Sequence, residues 1–308
     1  MLKGILRGAC FVLTLLLTPA LSYAAEQNIN CSHDDWNPIS VGPITTWTAS
    51  LCGQGRFVVQ PFFFYNHTRG FFDSGGHYSS LPSGDRKSQY QEQIFFQYGI
   101  TDRLEVDGQA VYQQNYEKES GANSHSSGWG DSYLYTRLCA LEEQAVLPQV
   151  TLLSQLKFPT GRYQASESGE LGTDSMGTGS FDHGYGFILT KKIKPFVLHA
   201  DFTYSFPCET KIDGIKTDYA DYITYDASVE YFLPKGFNLM LEFNWFKQGD
   251  RKEESERIPG TALNYLVMAP GIGWSNETIQ MLLAYQRTLS GTNTDANDSV
   301  VFTFVYTF

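Results

Sequence analysis

Basic residues are scarce in this 308-residue chain: 22 Lys and Arg stand against 33 Asp and Glu, for a formal charge of −11. Phosphate recognition needs clustered Lys and Arg, so a nucleic-acid partner is excluded. Long apolar runs are almost absent. Mean hydropathy is −0.27, and the single sustained apolar stretch, residues 9–17, is too short to span a bilayer as a helix. A bundle of membrane helices is therefore excluded. A strand-built membrane protein is not, because alternating strands average to a polar composition. Cysteine is also sparse. Of Cys10, Cys31, Cys52, Cys139 and Cys208 no two lie within four residues of one another, so metal-ligand spacing is missing. No nucleotide-binding motif occurs, and neither a metal nor a cofactor is expected.

Aromatic residues, in contrast, make up 15% of the chain, with 22 Phe and 19 Tyr beside 28 Gly, a mix that favours strands and turns. At the N-terminus Lys3 and Arg7 precede the apolar stretch, Pro19 breaks it, and Ser22 and Ala24 supply the small residues of a cleavage site. Residues 1–24 thus read as a signal peptide cleaved after Ala24. Export to an oxidising compartment then leaves four cysteines and three possible pairings. Cys31 with Cys52 is the favoured disulfide, because it closes a short separate segment, whereas Cys139 and Cys208 fall at opposite ends of the layout below.

From Arg56 onward the sequence alternates with period two in segments of about ten residues, the length of a transmembrane β-strand. The last segment is the clearest. Val300, Phe302, Phe304, Tyr306 and Phe308 form one apolar face, Ser299, Val301, Thr303, Val305 and Thr307 form the other, and the chain stops at Phe308. Phe304, Tyr306 and Phe308 resemble the C-terminal assembly signal of Gram-negative outer-membrane proteins. Similar faces recur upstream, as in Phe237, Leu239, Leu241, Phe243 and Trp245 against Asn238, Glu242 and Asn244. Trp245, Trp274, Tyr98 and Tyr112 fall near strand ends, where an interfacial girdle needs aromatic side chains.

Connections set the count and the orientation. Short links at 100–103, 139–148, 191–195, 234–236 and 275–277 alternate with long polar stretches at 67–87, 117–129, 159–180, 207–221, 247–260 and 287–298. Barrels of this class keep short turns in the periplasm and long loops outside. Six outer loops imply twelve strands. The expectation is an all-β, transmembrane antiparallel barrel over residues 55–308, preceded by a non-barrel segment, residues 25–54. Strands at 57–66, 131–138, 181–190 and 262–274 are the least regular in pattern.

Residues 25–54 carry Cys31, Trp36, Pro38, Pro43, Trp47 and Cys52 without strand alternation. A plug inside the lumen, a periplasmic tail and a short recruitment motif all fit, and a periplasmic segment or plug tied by a disulfide is the favoured expectation. The inward phase of the strands carries seven carboxylates, Glu105, Asp107, Asp131, Asp201, Asp226, Glu230 and Glu242, against two basic groups, Arg137 and Lys157. These nine are the candidate lumen and selectivity residues. A lumen so lined favours cations or neutral polar solutes; alternatively, the charges pair across a side-chain-filled interior. His125, Ser126 and Ser127 invite comparison with an outer-membrane phospholipase, but they sit in a run of small polar residues that reads as mobile loop, so no catalytic site is assigned. The charged run 250–257 reads as a solvated loop, with a divalent-cation site bridging lipopolysaccharide as the sharper alternative.

Four patterns follow one another in order: residues 98–105 (Tyr98 to Glu105), Gly128, Trp129, Gly130 and Asp131, then Lys157, Phe158, Pro159, Thr160 and Gly161, then Gly177, Thr178 and Gly179. The succession resembles the outer-membrane family named for the MetA pathway of phenol degradation, over roughly residues 56–308. The resemblance implies a barrel that transports aromatic or other small molecules, with residues 157–161 ending a strand at the outer rim. The expected function is a channel or transporter for small, aromatic or hydrophobic molecules in the Gram-negative outer membrane. A structural or adhesive barrel is the main alternative and a lipid-modifying enzyme a distant one. Expected partners are outer-membrane lipid and lipopolysaccharide, the barrel assembly machinery and a small-molecule solute.

Overall fold

A computed structural model describes residues 36–38, 40, 42–164 and 166–308. The expected signal peptide and Cys31 lie outside the described residues. Twelve long strands form the wall: β1 (Phe57–Phe72), β2 (Arg86–Thr101), β3 (Leu104–Glu119), β4 (Ser132–Leu141), β5 (Gln149–Phe158), β6 (Asp182–Ile193), β7 (Phe196–Pro207), β8 (Tyr222–Phe232), β9 (Phe237–Gln248), β10 (Leu263–Ser275), β11 (Ile279–Thr292) and β12 (Thr294–Thr307). Each pairs antiparallel with its neighbours in sequence, and β12 returns to β1 with Val58 opposite Thr307 and Tyr65 opposite Val300. Closure leaves no edge, the condition under which strands satisfy every backbone group in hydrocarbon. The Phe308 N–H donates to the Phe57 carbonyl at 2.9 Å, so the chain's last residue completes the seam.

The faces follow the alternation. Val300, Phe302, Phe304 and Phe308 point outward, while Val301, Thr303 and Val305 are buried inside. Outward aromatic side chains stack across strand pairs, Tyr225 on Trp245 at 5.0 Å and Phe63 on Phe302 at 6.3 Å between centroids. Such pairs and their contact with lipid hold the register that a one-residue slip would invert.

The outer rim differs from the sequence expectation. The wall there is uneven, because β1, β2 and β3 each run for 16 residues while β4 and β5 run for 10. The stretch 287–298, expected as a long loop, is strand on both sides, with Asn293 alone between β11 and β12 at φ 50°. Likewise β1 continues to Phe72, and residues Ala122–Trp129 form a strand that pairs with the upper part of β3, Tyr112 opposite Trp129. Beyond the bilayer a strand needs no apolar face, so its residues lose the signature that marks the membrane part. The loops after β7 and β9 join in a separate four-stranded sheet of short segments, Thr210–Ile212, Ile215–Asp218, Lys252–Glu253 and Glu256–Arg257. In the second of these loops Arg257 pairs with Asp250 at 2.5 Å and Arg251 with Glu253 at 2.9 Å.

The strand assignment also corrects the mobile-loop reading of His125. Its ring lies on the outer face, stacked on Tyr116 at 4.4 Å. Ser126 faces the opposite way and donates to Glu170 at 3.0 Å. Alternation puts Ser126 on the far side of the sheet and returns Ser127, the residue two after His125, to the His125 side, but among the described residues no hydrogen bond joins His125 to Ser127.

Candidate functional site

All nine candidate lumen residues lie on the inward side of the wall, but few of them line open space. The described residues between Trp36 and Cys52 pass inside the barrel. Trp36 meets Phe232 near the periplasmic end of β8, and Asn37 accepts from Lys192 at 2.6 Å near the end of β6. The segment then reaches mid-lumen at residues 44–47 and returns to the periplasmic rim, where the Gly55 N–H donates to the Gly99 carbonyl at 2.8 Å.

Carboxylates on the wall hold the apex. Glu242 accepts from the consecutive N–H groups of Ile44, Thr45 and Thr46 at 2.5, 3.0 and 3.1 Å, and from the Thr45 and Thr46 hydroxyls at 2.9 and 3.2 Å. Three successive N–H groups turned on one oxyanion form an anion-binding concavity, here supplied by the segment to a side chain of β9. Asp201 accepts from Trp47 N–H at 2.9 Å and Glu105 from Cys52 N–H at 2.5 Å. Glu230 takes the Ser40 hydroxyl at 3.1 Å, His199 Nε2 at 2.9 Å and the Asn238 amide. A segment with no repeating structure thus has its N–H groups satisfied by side chains, as burial demands.

Arg137 gathers a second group. Its guanidinium bonds Glu105, donates to Asp107 at 2.8 Å, and reaches the Thr48 and Ser50 carbonyls at 3.1 and 3.5 Å. It also lies 5.2 Å from the Trp47 ring centroid, a cation–π contact. The Trp47 indole sits edge-on to Tyr135 and Phe95 at 5.0 and 5.6 Å. Around it Ile44 and Ala49 join Phe62, Leu153, Ile188, Met240 and Leu282 in an apolar cluster at the barrel centre. The sequence reading passed over these inward apolar residues; several of them in the inward phase of different strands were the available signal.

The remaining cation marks a third group, higher in the barrel. Lys157 pairs with Asp182 at 2.7 Å and Asp131 at 3.8 Å, and donates to Thr178 and Ser180 at 2.5 and 3.2 Å. Asp182 was missed in the sequence because it stands at the very start of β6, beside the outward Phe181. The loop between β5 and β6 folds inward here: Asp131 accepts from Gly161 N–H at 3.2 Å and from Thr178 N–H at 3.1 Å. A Cβ on Gly177 would collide with the Asp131 carboxylate, and one on Gly161 would fall 2.8 Å from the Met176 carbonyl. The glycine-bearing motifs at 128–131, 157–161 and 177–179 therefore meet at one place, where this loop closes on the wall.

Between the inturned loop and the mid-lumen segment lies a cavity of about 550 Å³ that spans β2 to β9. Tyr135 lines it below and Met176 above. Outside the membrane Ser124 and Ser126 tie the same loop down by donating to Glu170 at 2.8 and 3.0 Å, and their hydroxyls hold that carboxyl below its ordinary range.

Cys52, Cys139 and Cys208 are not joined to one another. The expected Cys31–Cys52 bridge involves a residue outside the described part.

The same architecture recurs among solved structures. An outer membrane channel from Pseudomonas putida F1 superposes with a TM-score of 0.71 at 14% identity, over 87% of this chain and 100% of that one. The NanC porin superposes with a TM-score of 0.50 at 8% identity, over 80% of this chain and 98% of that one. At such identities the likeness establishes the fold, that of Gram-negative outer-membrane barrels. No curated protein matches the chain. A family described as "Putative MetA-pathway of phenol degradation" matches residues 88–304, from β2 to β12, and the chain belongs to that family.

Proposed function

We propose that the protein is an outer-membrane channel for small solutes whose resting lumen is closed by its own N-terminal segment. The observation that carries this reading is the set of hydrogen bonds from Ser40, Ile44, Thr45, Thr46, Trp47 and Cys52 to Glu230, Glu242, Asp201 and Glu105. Those bonds are charge-assisted, and the segment adds no strand to the wall, so its departure leaves the closed strand ladder of the barrel intact. When it leaves, carboxylates remain on the inner wall while Arg137 and Lys157 stay paired, and the open lumen favours cations and neutral solutes over anions. The fold of the Pseudomonas putida channel supports the transport reading by likeness of architecture. The His125 ring is stacked on Tyr116 and, among the described residues, makes no hydrogen bond to Ser127, which counts against lipid hydrolysis.

Liposome swelling tests this reading. Vesicles containing the protein should swell in small neutral solutes, and faster with a variant lacking residues 36–52. A barrel impermeable to every solute in both forms would favour a structural or adhesive role, for which the outer four-stranded sheet is the available surface.

A further inference from the structure

The cavity between the Trp47 segment and the inturned loop is large enough for a small-molecule site, which ordinarily measures about 300–1,000 Å³. We infer that it is a binding site for an uncharged, hydroxyl-rich solute the size of one or two sugar rings. This rests on the channel reading above and gives the class of its solute.

The lining is built of amides. Gln91, Gln93, Gln109, Gln113, Gln155 and Gln248 all border the cavity. Some are held in place by the protein: Gln109 donates to Gln93 at 2.6 Å and accepts from the Tyr135 hydroxyl at 2.8 Å, and Gln113 donates to the Met176 carbonyl at 3.3 Å. Others keep capacity to spare. Gln155 uses its Nε2 on the Tyr222 hydroxyl at 3.5 Å and Gln248 its Nε2 on the Ala220 carbonyl at 3.0 Å, leaving both amide oxygens as acceptors. Gln93 keeps its Nε2 as donor, and among the described residues Gln91 has no hydrogen-bond partner at either end of its amide. Each amide offers two donors and an acceptor. A hydroxyl is donor and acceptor at once, so a polyol can satisfy both kinds of vacancy, whereas a carboxylate or an ammonium can satisfy only one.

The charges in the cavity point the same way. The Lys157 ammonium is shared between two carboxylates, and those carboxylates take further donors from Thr178, Ser180 and Tyr222. The one negative charge that remains is spread over oxygens that already accept from the protein, and it disfavours an anionic ligand. Flat rings complete the lining. Tyr133 and Tyr135 lie nearly parallel, 6° apart with centroids at 5.9 Å, and Tyr222 stacks on Phe246 at 5.4 Å. Aromatic rings of this kind pack against the C–H face of a sugar ring. An apolar aromatic solute would instead bury the free amides without partners, which disfavours it.

Saturation-transfer NMR on the full chain in detergent, with glucose, maltose, gluconate and phenol as probes, tests the inference. Saturable contact with glucose or maltose is expected, at least tenfold stronger than with gluconate or phenol, and a Gln91→Leu/Gln155→Leu variant should lose it at least tenfold. Should that variant fail to fold, Gln91→Glu, which keeps the side chain's size, should give the same loss. No saturable contact with the neutral sugars, preference for phenol or gluconate, or unchanged affinity in a folded variant would overturn the site. Swelling by sugars without saturable contact would remove the site and leave the channel. Saturable contact without swelling would do the opposite.

Discussion

Glu242 of β9 accepts the backbone N–H of Ile44, 198 residues earlier in the chain, at 2.5 Å. The carboxylate is fully buried and its other donors all come from the same three residues, so it functions as the peg on which the segment hangs. Replacing Glu242 with Gln keeps the shape but turns an amide N–H₂ toward N–H donors. Hydrogen bonds to a charged acceptor contribute about 1.5–3 kcal/mol each, so E242Q should loosen the segment by at least one such bond. In planar bilayers the variant should show more frequent high-conductance events, roughly tenfold per 1.4 kcal/mol, with heat-modifiable migration unchanged. Equal event frequencies would place the peg elsewhere.

Arg137 is 1% exposed and Glu105 and Asp107 are fully buried beside it. Removing the cation leaves two buried carboxylates without their counter-charge, a change that costs about 3–5 kcal/mol when one member of a buried pair is deleted. Arg137→Met should therefore lower the temperature at which the barrel loses its compact migration. Adding Glu105→Gln and Asp107→Asn to that variant should restore most of the loss, because the uncompensated charge goes with them. Failure of the triple variant to recover would assign the role to Arg137's contacts with Thr48 and Trp47 instead.

At the seam, Phe308 contributes one backbone hydrogen bond to Phe57 and a ring contact at 5.9 Å, with its side chain 69% exposed to the membrane side. So little burial stabilises the finished barrel only slightly. Deleting Phe308 is expected to reduce the amount of barrel assembled in the outer membrane severalfold while leaving the thermal stability of assembled protein nearly unchanged. A normal yield would contradict a role for Phe308 in assembly.

The barrel was legible in the sequence because lipid and lumen impose opposite chemistry on alternate residues, and Phe237 to Trp245 or Val300 to Phe308 record that directly. The outer extensions, such as Thr294 to Asp298, were not legible, since no lipid face imposes apolar residues on alternate positions there. The inward charges were found in the right phase, yet their partners were not. Arg137 with Glu105 and Asp107 is a pairing between neighbouring strands that register alone implies, Glu105 standing opposite Arg137. Glu242 with Ile44, in contrast, joins a strand to a segment without period, and backbone N–H groups leave no mark in a sequence. Trp47 was noticed only as one aromatic residue in an irregular stretch; its place against Phe95 and Tyr135 depends on three inward positions of separate elements.

On the channel reading, the segment between Trp36 and Cys52 closes a cation-preferring lumen. Planar-bilayer conductance and reversal potential under a salt gradient, measured for the whole protein and for the protein lacking those residues, test it most directly. The shortened protein should conduct severalfold more and should prefer cations, a preference that weakens as the Debye length falls to about 3 Å near 1 M salt. Unchanged conductance, or an open pore that prefers anions, would contradict it.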